Sequence, residues 1–461
     1  MRPRAVPAVL LALVVVLSFV PSLGAGFVSD AFVFLEQSRR FSPGGLLAQF
    51  VPAPGQWYRP LTTLVFWLEY RLFGLAPLGY HVVAWLCHLS AAVLVMALGH
   101  RITGSRVAAW VAGTVFVLSI HAHEIVFDAA DLHNALSGVS LPACVLAWLR
   151  GSPVLALALA GITLGIDENG LLALPLVALS EAVYGRGSPR GYRLIPLALL
   201  TAAYIGLRLA VGGGFANEGV PCRSPHCLAV AVLEYLNRLF VRPEAVLALA
   251  WRHRVVLALV TALVLVALLV LLRPWRWHDW RAIGFGAGWL IGTTLFSILA
   301  LYPYVADRFL YIPDMGLALL IGALANEGFR AWRTAPAGAR VGLALVALVM
   351  SAWILSGAVA LAGRGRLWRE AGAVARSIVE STVAALPSPP PRATLVFQKI
   401  PDSHPPGIPP ANTGPYLFRN GLGAALRIRY GRNDLVVLKG GGGPPDAIVL
   451  AIDGGTVRRM R

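Results

Sequence analysis

Lysine is almost missing from this chain of 461 residues, with Lys399 and Lys439 its only two. Acids are scarce as well, 22 Asp and Glu against 39 Lys and Arg, and charged residues make up 13% of the whole. Soluble domains carry about 25% charged residues, so most of this chain cannot be a freely soluble globular domain. What is there instead is apolar. Hydrophobic residues account for 57% of the chain, mean hydropathy is +0.70, and runs near the roughly 20-residue membrane-crossing length recur from end to end. The composition predicts a polytopic helical membrane protein.

The net charge of +17 does not indicate nucleic acid. Nearly all of it is Arg, scattered through short loops between apolar runs, which is what the positive-inside rule produces. Cysteine is sparse too, at four residues. Cys87 and Cys144 fall inside apolar segments and read as small hydrophobes. Cys222 and Cys227, in "VPCRSPHCLA", sit in a polar loop and are expected to form a disulfide. His226 would make only three zinc ligands, one short of a structural site. "KGGGGPP" lacks the Lys-Ser/Thr of a phosphate-binding loop, and no tetratricopeptide or other repeat is visible. The N-terminus, "MRPRAVPAVLLALVVVLSFVPSLGAG", has the layout of a signal peptide, but an uncleaved first helix is the preferred reading because the polar stretch after it merits anchoring.

Strict alternation of every apolar run gives a poor topology. The run "PLTTLVFWLEYRLFGL" (60–75) is short and contains Glu69 and Arg71. Treated as an amphipathic helix in the outer interface, it puts the basic turns at 100–106, Arg150, 185–193, 273–281 and 326–340 inside. Eleven spans follow: 5–23, 80–99, 107–120, 134–149, 153–166, 171–184, 194–210, 255–272, 282–302, 309–325 and 341–361. The long 211–254 loop keeps Arg252 and Arg254 outside, as long loops translocate largely regardless of charge. The N-terminus is then cytoplasmic. Residues 1–363 form a transmembrane domain, and 364–461 an amphipathic helix, a Pro-rich linker ("PSPPP", 387–391) and a small extracytoplasmic domain. "ATLVFQKI", "AALRIRYG", "DLVVLKG" and "DAIVLAI" are strand-like runs, so this domain should be α/β or β-rich. The stiff linker predicts that it is dispensable for folding of the membrane part.

This threading collects the membrane-edge acids on the outer side. Asp30 opens the first outer loop in "FVSDAFVFLEQSRRF", followed by Glu36, Arg39 and Arg40. The next outer loop reads "SIHAHEIVFDAADLHNALSG". A helix there would carry His121, Glu124, Asp128 and Asp131 on one face, with Ala122, Val126 and Ala130 opposite. Charges at a bilayer usually line a cavity or pathway. A solvated helix cap, a functional cavity and a metal site drawn from His121, His123, Glu124 or Asp128 are all open readings of these residues. A third cluster, "YPYVADRFLYIPDMG" (302–316), places Asp307 and Arg308 near Tyr304 and Tyr311. Those tyrosines suit an interfacial aromatic belt, whereas an Arg at that depth suits a phosphate held at the membrane surface.

Three stretches together, "WYRPLTTLVFWLEYRLFG…GYH" (57–81), "HAHEIVFDAADLHNALSG" (121–138) and "ADRFLYIPDMG" (306–316), resemble the GT-C membrane glycosyltransferases. The branch is that of the protein O-mannosyltransferases whose eukaryotic members carry tetratricopeptide tails. The resemblance covers about residues 20–370. It implies a fold of about eleven helices, a polyprenyl-phosphate sugar donor, an acid of the first outer loop at the reaction centre, interfacial helices after it, and inversion at the sugar carbon. On that reading Asp30 is the catalytic base, while Glu124, Asp128 and Asp131 orient sugar or acceptor hydroxyls. Arg308 and then Arg59 bind the lipid phosphate, Tyr311 contributes to substrate binding, and His121 or His123 assists proton transfer. Mannose is the first sugar to test, and the acceptor is a protein, glycan or lipid hydroxyl outside a bacterial-type inner membrane. No particular cofactor is identified, and a divalent metal is an open alternative. The chain departs from the family in having Ala31 where a second acid commonly follows the first, and Ala130 where an Arg often precedes the Asp. A transporter or lipid flippase would instead place acids in mid-membrane segments and show internal repeats. A non-catalytic scaffold would tolerate any residue at position 30.

Overall fold

A computed structural model describes residues 5–53, 58–185, 191–211, 224–240, 278–301, 306–405, 415–440, 442–453 and 456–460. The membrane part is helical. In chain order it contains α1 (Ala5–Phe19), α2 (Asp30–Arg40), α3 (Pro43–Ala48), α4 (Pro60–Phe73), α5 (Pro77–Thr103), α6 (Arg106–Val117), α7 (Ala122–Phe127) and α8 (Leu132–Leu149). It continues with α9 (Pro153–Ile166), α10 (Ala173–Tyr184), α11 (Ile195–Ala210), α12 (Pro225–Phe240), α13 (Trp280–Leu301), α14 (Tyr311–Thr334) and α15 (Ala337–Ala385). Each expected span except 255–272 falls on one of these helices, and 255–272 lies outside the described residues, as do Arg252, Arg254 and Tyr304. Six helical stretches, those of α5, α8, α11, α13, α14 and α15, are long and apolar enough to cross a membrane. This is an integral membrane protein.

Local signals set the ends of these helices. Pro77 opens α5, and Gly104 closes it in the left-handed conformation at φ 68°, where a side chain would strain the backbone. Ser105 caps α6, its hydroxyl accepting from the Ala108 N–H. At 14 residues, α4 reaches only about 21 Å, too short for the roughly 30 Å hydrocarbon core. It buries Pro60, Thr62, Phe66 and Glu69 while Leu68 and Leu72 face outward, the layout of the expected interfacial helix.

The C-terminal region differs from the expectation in three respects. The last span and the amphipathic helix after it are one helix of 49 residues, α15, which runs through position 363 without a break. Near its far end Gly372 crosses the first outer loop at Gly26 so closely that a Cβ on Gly372 would sit 2.3 Å from the Gly26 nitrogen. Beyond Leu386 come β1 (Thr394–Gln398), α16 (Leu422–Tyr430), β2 (Val436–Lys439), β3 (Ile448–Asp453) and β4 (Thr456–Arg459). The strand order is β2-β1-β3-β4, with β1 parallel to β2 and β3, and β4 antiparallel at the edge. The run "AALRIRYG", expected as a strand, is the helix α16. Its apparent alternation of Leu426, Ile428 and Tyr430 with two arginines is overridden by burial of Leu422, Ala425 and Leu426 on one helical face, and Gly431 terminates it at φ 70°. The domain is not a separate bead on the linker. Leu417, Phe418 and Leu422 pack in the same core as Phe127, Trp368 and Ile378.

Candidate active site

The chain leaves α1 through a turn and reaches Ser29, whose φ of 40° is unusual for a residue with a side chain. The turn aims the first residue of α2, Asp30, half-buried, at the outer end of the helices. Asp30 Oδ1 accepts from Asn420 Nδ2 at 2.9 Å. Glu36 lies one and a half turns further on. Arg427 approaches it with Nε at 2.5 Å and Nη2 at 2.8 Å, and Arg40 also donates to it.

The second loop, at 121–133, is not the continuous helix expected from its spacing. α7 ends at Phe127, Asp128 turns extended, and a 3-10 turn at Ala129–Asp131 leads into α8. The Asp128 carboxylate makes that break, accepting from the Ala130 N–H at 2.9 Å, so it competes with the helix for backbone donors. The break still brings the acids together. Arg308 Nη1 lies 3.0 Å from Glu124 Oε2 and 3.7 Å from Asp131 Oδ2, and the Asp307 N–H donates to Glu124 Oε1 at 3.1 Å. Glu124 therefore positions both the backbone and the side chain of the Asp307–Arg308 corner.

Arg59, just ahead of α4, donates Nε and Nη2 to Glu168 Oε2 at 3.1 and 2.9 Å, and Arg208 Nη2 stands 3.5 Å from Glu168 Oε1. Asp167 alongside accepts from Ser137 Oγ at 2.6 Å and from Asn169 Nδ2 at 2.7 Å. Burial pushes the Asp167 carboxyl up to about 7 against the pull of Arg59. The charges form one field. Burial, then the Asp131 charge, pushes the Asp128 carboxyl well above its ordinary range, with Asp30 adding to the rise and Arg308 opposing it. Arg59 feels Glu168, Asp167 and Asp131 in turn. Asp30, Glu124, Asp128, Asp131, Arg308 and Arg59 thus converge at one end of the helices from separate elements. The side chains of Arg59 and Arg308 are each 22% exposed.

Three expected substrate contacts point elsewhere. The Tyr311 hydroxyl donates to His88 Nδ1 at 2.9 Å, and the ring is fully buried against Phe116. His121 Nδ1 donates to Asp314 Oδ2 at 2.7 Å, while Nε2 faces the Arg238 carbonyl at 3.0 Å. His123 belongs to a buried clamp, where Trp368 Nε1 donates to its Nδ1 at 3.0 Å and its Nε2 lies 2.9 Å from Asp307 Oδ2. Arg238 Nη1 holds the other Asp307 oxygen at 2.6 Å. Among the described residues, His123, Glu124 and Asp307 are the group whose ligand atoms lie near enough for a metal. The residues do not fit a metal as they stand, because Trp368 occupies the Nδ1 lone pair and Nε2 then carries the proton that faces Asp307. The expected metal set shares only His123 and Glu124 with this group, since His121 pairs with Asp314 and Asp128 caps its own loop. Cys87 and Cys144 are free, and Cys227 is disulfide-bonded. Cys222, its expected partner, lies outside the described residues.

Sequence reading did not single out Asp167, Glu168, Arg208, Arg238 or Asn420. The "IDENG" turn at 166–170, with two acids between apolar runs, is the same kind of signal that marked Asp30. Arg238 and Arg208 sit inside apolar patterns, and nothing local distinguishes Asn420.

Fold and site together define a class of architecture, a polytopic helical membrane protein with charged residues gathered at one end of its helices. No family model matches the chain. ArnT from Cupriavidus metallidurans in the apo state shares the fold with a TM-score of 0.54 at 15% identity, covering 96% of this chain and 87% of that one. A second ArnT structure, bound to undecaprenyl phosphate, gives a TM-score of 0.49 at 15% identity over 96% and 92%. In sequence, the Drosophila melanogaster protein O-mannosyl-transferase Tmtc1 is 31% identical over 136 residues, 28% of this chain and 16% of its own length. The Caenorhabditis elegans protein O-mannosyl-transferase F38B6.6 is 47% identical over 45 residues, 10% of this chain and 6% of its own.

Proposed function

We propose that this protein is a membrane glycosyltransferase that moves a sugar, mannose being the first candidate, from a polyprenyl-phosphate donor to a hydroxyl acceptor on the outer face of a bacterial-type inner membrane. The observation that carries the reading is the convergence of Asp30, Asp128, Asp131 and Glu124 with Arg308 and Arg59 at one end of the helices. In the step, the acceptor hydroxyl gives its proton to Asp30 as its oxygen bonds to the anomeric carbon. The bond from that carbon to the phosphate oxygen breaks on the opposite face, and its electron pair leaves on the lipid phosphate. Arg308 and Arg59 offset the charge developing there. Asp131 and Glu124 hold Arg308, and a neutral Asp128 can donate to a sugar oxygen. One displacement without a covalent intermediate inverts the anomeric centre. The fold likeness to ArnT and the short matches to O-mannosyl-transferases support the reaction class.

The test is transfer by the purified full chain in proteoliposomes, supplied with a panel of polyprenyl-phosphate sugars and hydroxyl acceptors. Asp30→Asn keeps size and hydrogen bonding but cannot take the proton. It should accumulate normally, bind donor normally, and transfer at least roughly a hundredfold more slowly. Transfer at the wild-type rate would remove Asp30 as base and move the search to Glu36, Glu124 and Asp128.

A further inference from the structure

We infer that the C-terminal domain completes the active site, with Asn420 acting as a positioning residue that fixes the Asp30 carboxylate. The inference rests on the reading of Asp30 as the base. The Asn420 Nδ2–H donates to Asp30 Oδ1 at 2.9 Å across 390 residues of sequence. A hydrogen bond to one oxygen favours one rotamer of the carboxylate and leaves Oδ2 for the acceptor hydroxyl. The amide neither takes nor gives up the transferred proton, so Asn420 acts only through Asp30.

The contact is held on both sides. The Ser29 N–H donates to the Leu417 carbonyl at 2.7 Å, which stabilises the left-handed turn that aims Asp30. Phe32 stacks on Phe418, ring centroids 6.0 Å apart at 23°. Position 421 must be glycine for this approach, because a Cβ there would lie 1.8 Å from the Ser29 carbonyl oxygen. Lys439, one of the two lysines in the chain, reaches from the end of β2 to the carbonyls of Phe418 and Arg419 at 2.5 and 2.8 Å. The strand residue thereby fixes the loop that carries Asn420. A domain that only packed on the membrane part would need the Arg427–Glu36 pair and the Phe32–Phe418 stack, but not an amide aimed at the first acid of the outer loop.

The experiment compares Asn420→Ala and Asn420→Asp in the full reconstituted chain. Asn420→Ala should lower kcat about tenfold, the scale of one hydrogen bond to a charged group, with little change in donor KM. Asn420→Asp is isosteric and sets a second carboxylate against Asp30. That raises the pH at which Asp30 ionises, so the acid limb of the pH–rate profile should move up by about 1 pH unit. Arg427→Lys, which perturbs docking at a distance from Asp30, should leave that limb in place. In an Asp30→Asn background, Asn420→Ala should add no further loss. Should Asn420→Ala fail to accumulate, the Asn420→Asp profile decides. An unshifted acid limb in Asn420→Asp overturns the inference, as does a full kcat in Asn420→Ala. The Asp30 reading fails separately, by wild-type transfer in Asp30→Asn alone.

Discussion

At the scale of single residues, the site separates groups that meet the substrate from groups that hold them. Arg308 bridges Glu124 and Asp131 at 3.0 and 3.7 Å and stays 22% exposed. In the proposed reaction it faces a phosphate that is charged in the ground state and more so in the transition state. Arg308→Ala should therefore raise donor KM and lower kcat together, by about 10²-fold or more in kcat/KM. Asp131→Asn, which only loosens the clamp on Arg308, should fall between that variant and wild type. Steady-state kinetics with varied donor checks both, and an Arg308→Ala enzyme with unchanged donor KM would place the phosphate elsewhere. Charged candidates of this kind were legible in the sequence because an acid or Arg at the end of an apolar run is expensive and therefore conspicuous. Tyr311 and the histidines were misplaced for the converse reason. Aromatic and imidazole side chains satisfy buried hydrogen bonds as readily as they meet ligands, and only the fold shows that Tyr311 turns toward His88.

At the scale of elements, one of the contacts that dock α16 against α2 is the ion pair of Glu36 with Arg427. Burial works to raise the Glu36 carboxyl, but the hydrogen bond and charge of Arg427, with Arg40 and Arg39, outweigh it and hold the group below its ordinary value of 4.5. A depressed carboxyl contributes stability that is present above the ordinary value and lost as the pH falls through the folded one. Hydrogen exchange in residues 415–430 should thus quicken as the pH is lowered from 5 toward 3, after correction for intrinsic exchange. Glu36→Gln should exchange faster at neutral pH and lose the acid dependence. Matching curves for the two proteins would mean that the pair contributes nothing to docking. The sequence misread α16 because five residues alternating as Leu, Arg, Ile, Arg and Tyr satisfy a period of two locally. Burial against the sheet and the C-terminal Gly431 decide for the helix, and neither is visible from the run itself. The 121–133 loop shows the opposite failure. Spacing suggested one helix, and the short Asp128 side chain bonded to the Ala130 N–H breaks it.

At the scale of the whole molecule, the helical frame was the most legible part, because lipid requires continuous apolar runs with internally satisfied backbone. Each expected span within the described residues is a helix. Contacts between distant parts of the chain leave no such record, which is why the C-terminal domain read as separable while it shares a core with Phe127 and Trp368. The active-site reading needs both parts on the same side of the membrane, and the charge-based threading puts that side outside the cytoplasm. This can be checked directly with single cysteines. The exposed Asp446 in the turn before β3 serves as the outer probe, and the exposed Arg340 at the start of α15 as the inner one. The native Cys87 and Cys144 lie within helices of the membrane part and give little background. A membrane-impermeant maleimide added to intact cells should label Asp446→Cys at once, and Arg340→Cys only after permeabilisation. Arg340 lies in the first turn of α15, which runs unbroken to Ala385, and the threading puts one crossing between the two probes. Labelling of Arg340→Cys in intact cells, with Asp446→Cys protected, would invert the protein. Asp30 would then face the cytoplasm, and an acceptor on the outer face could not reach it.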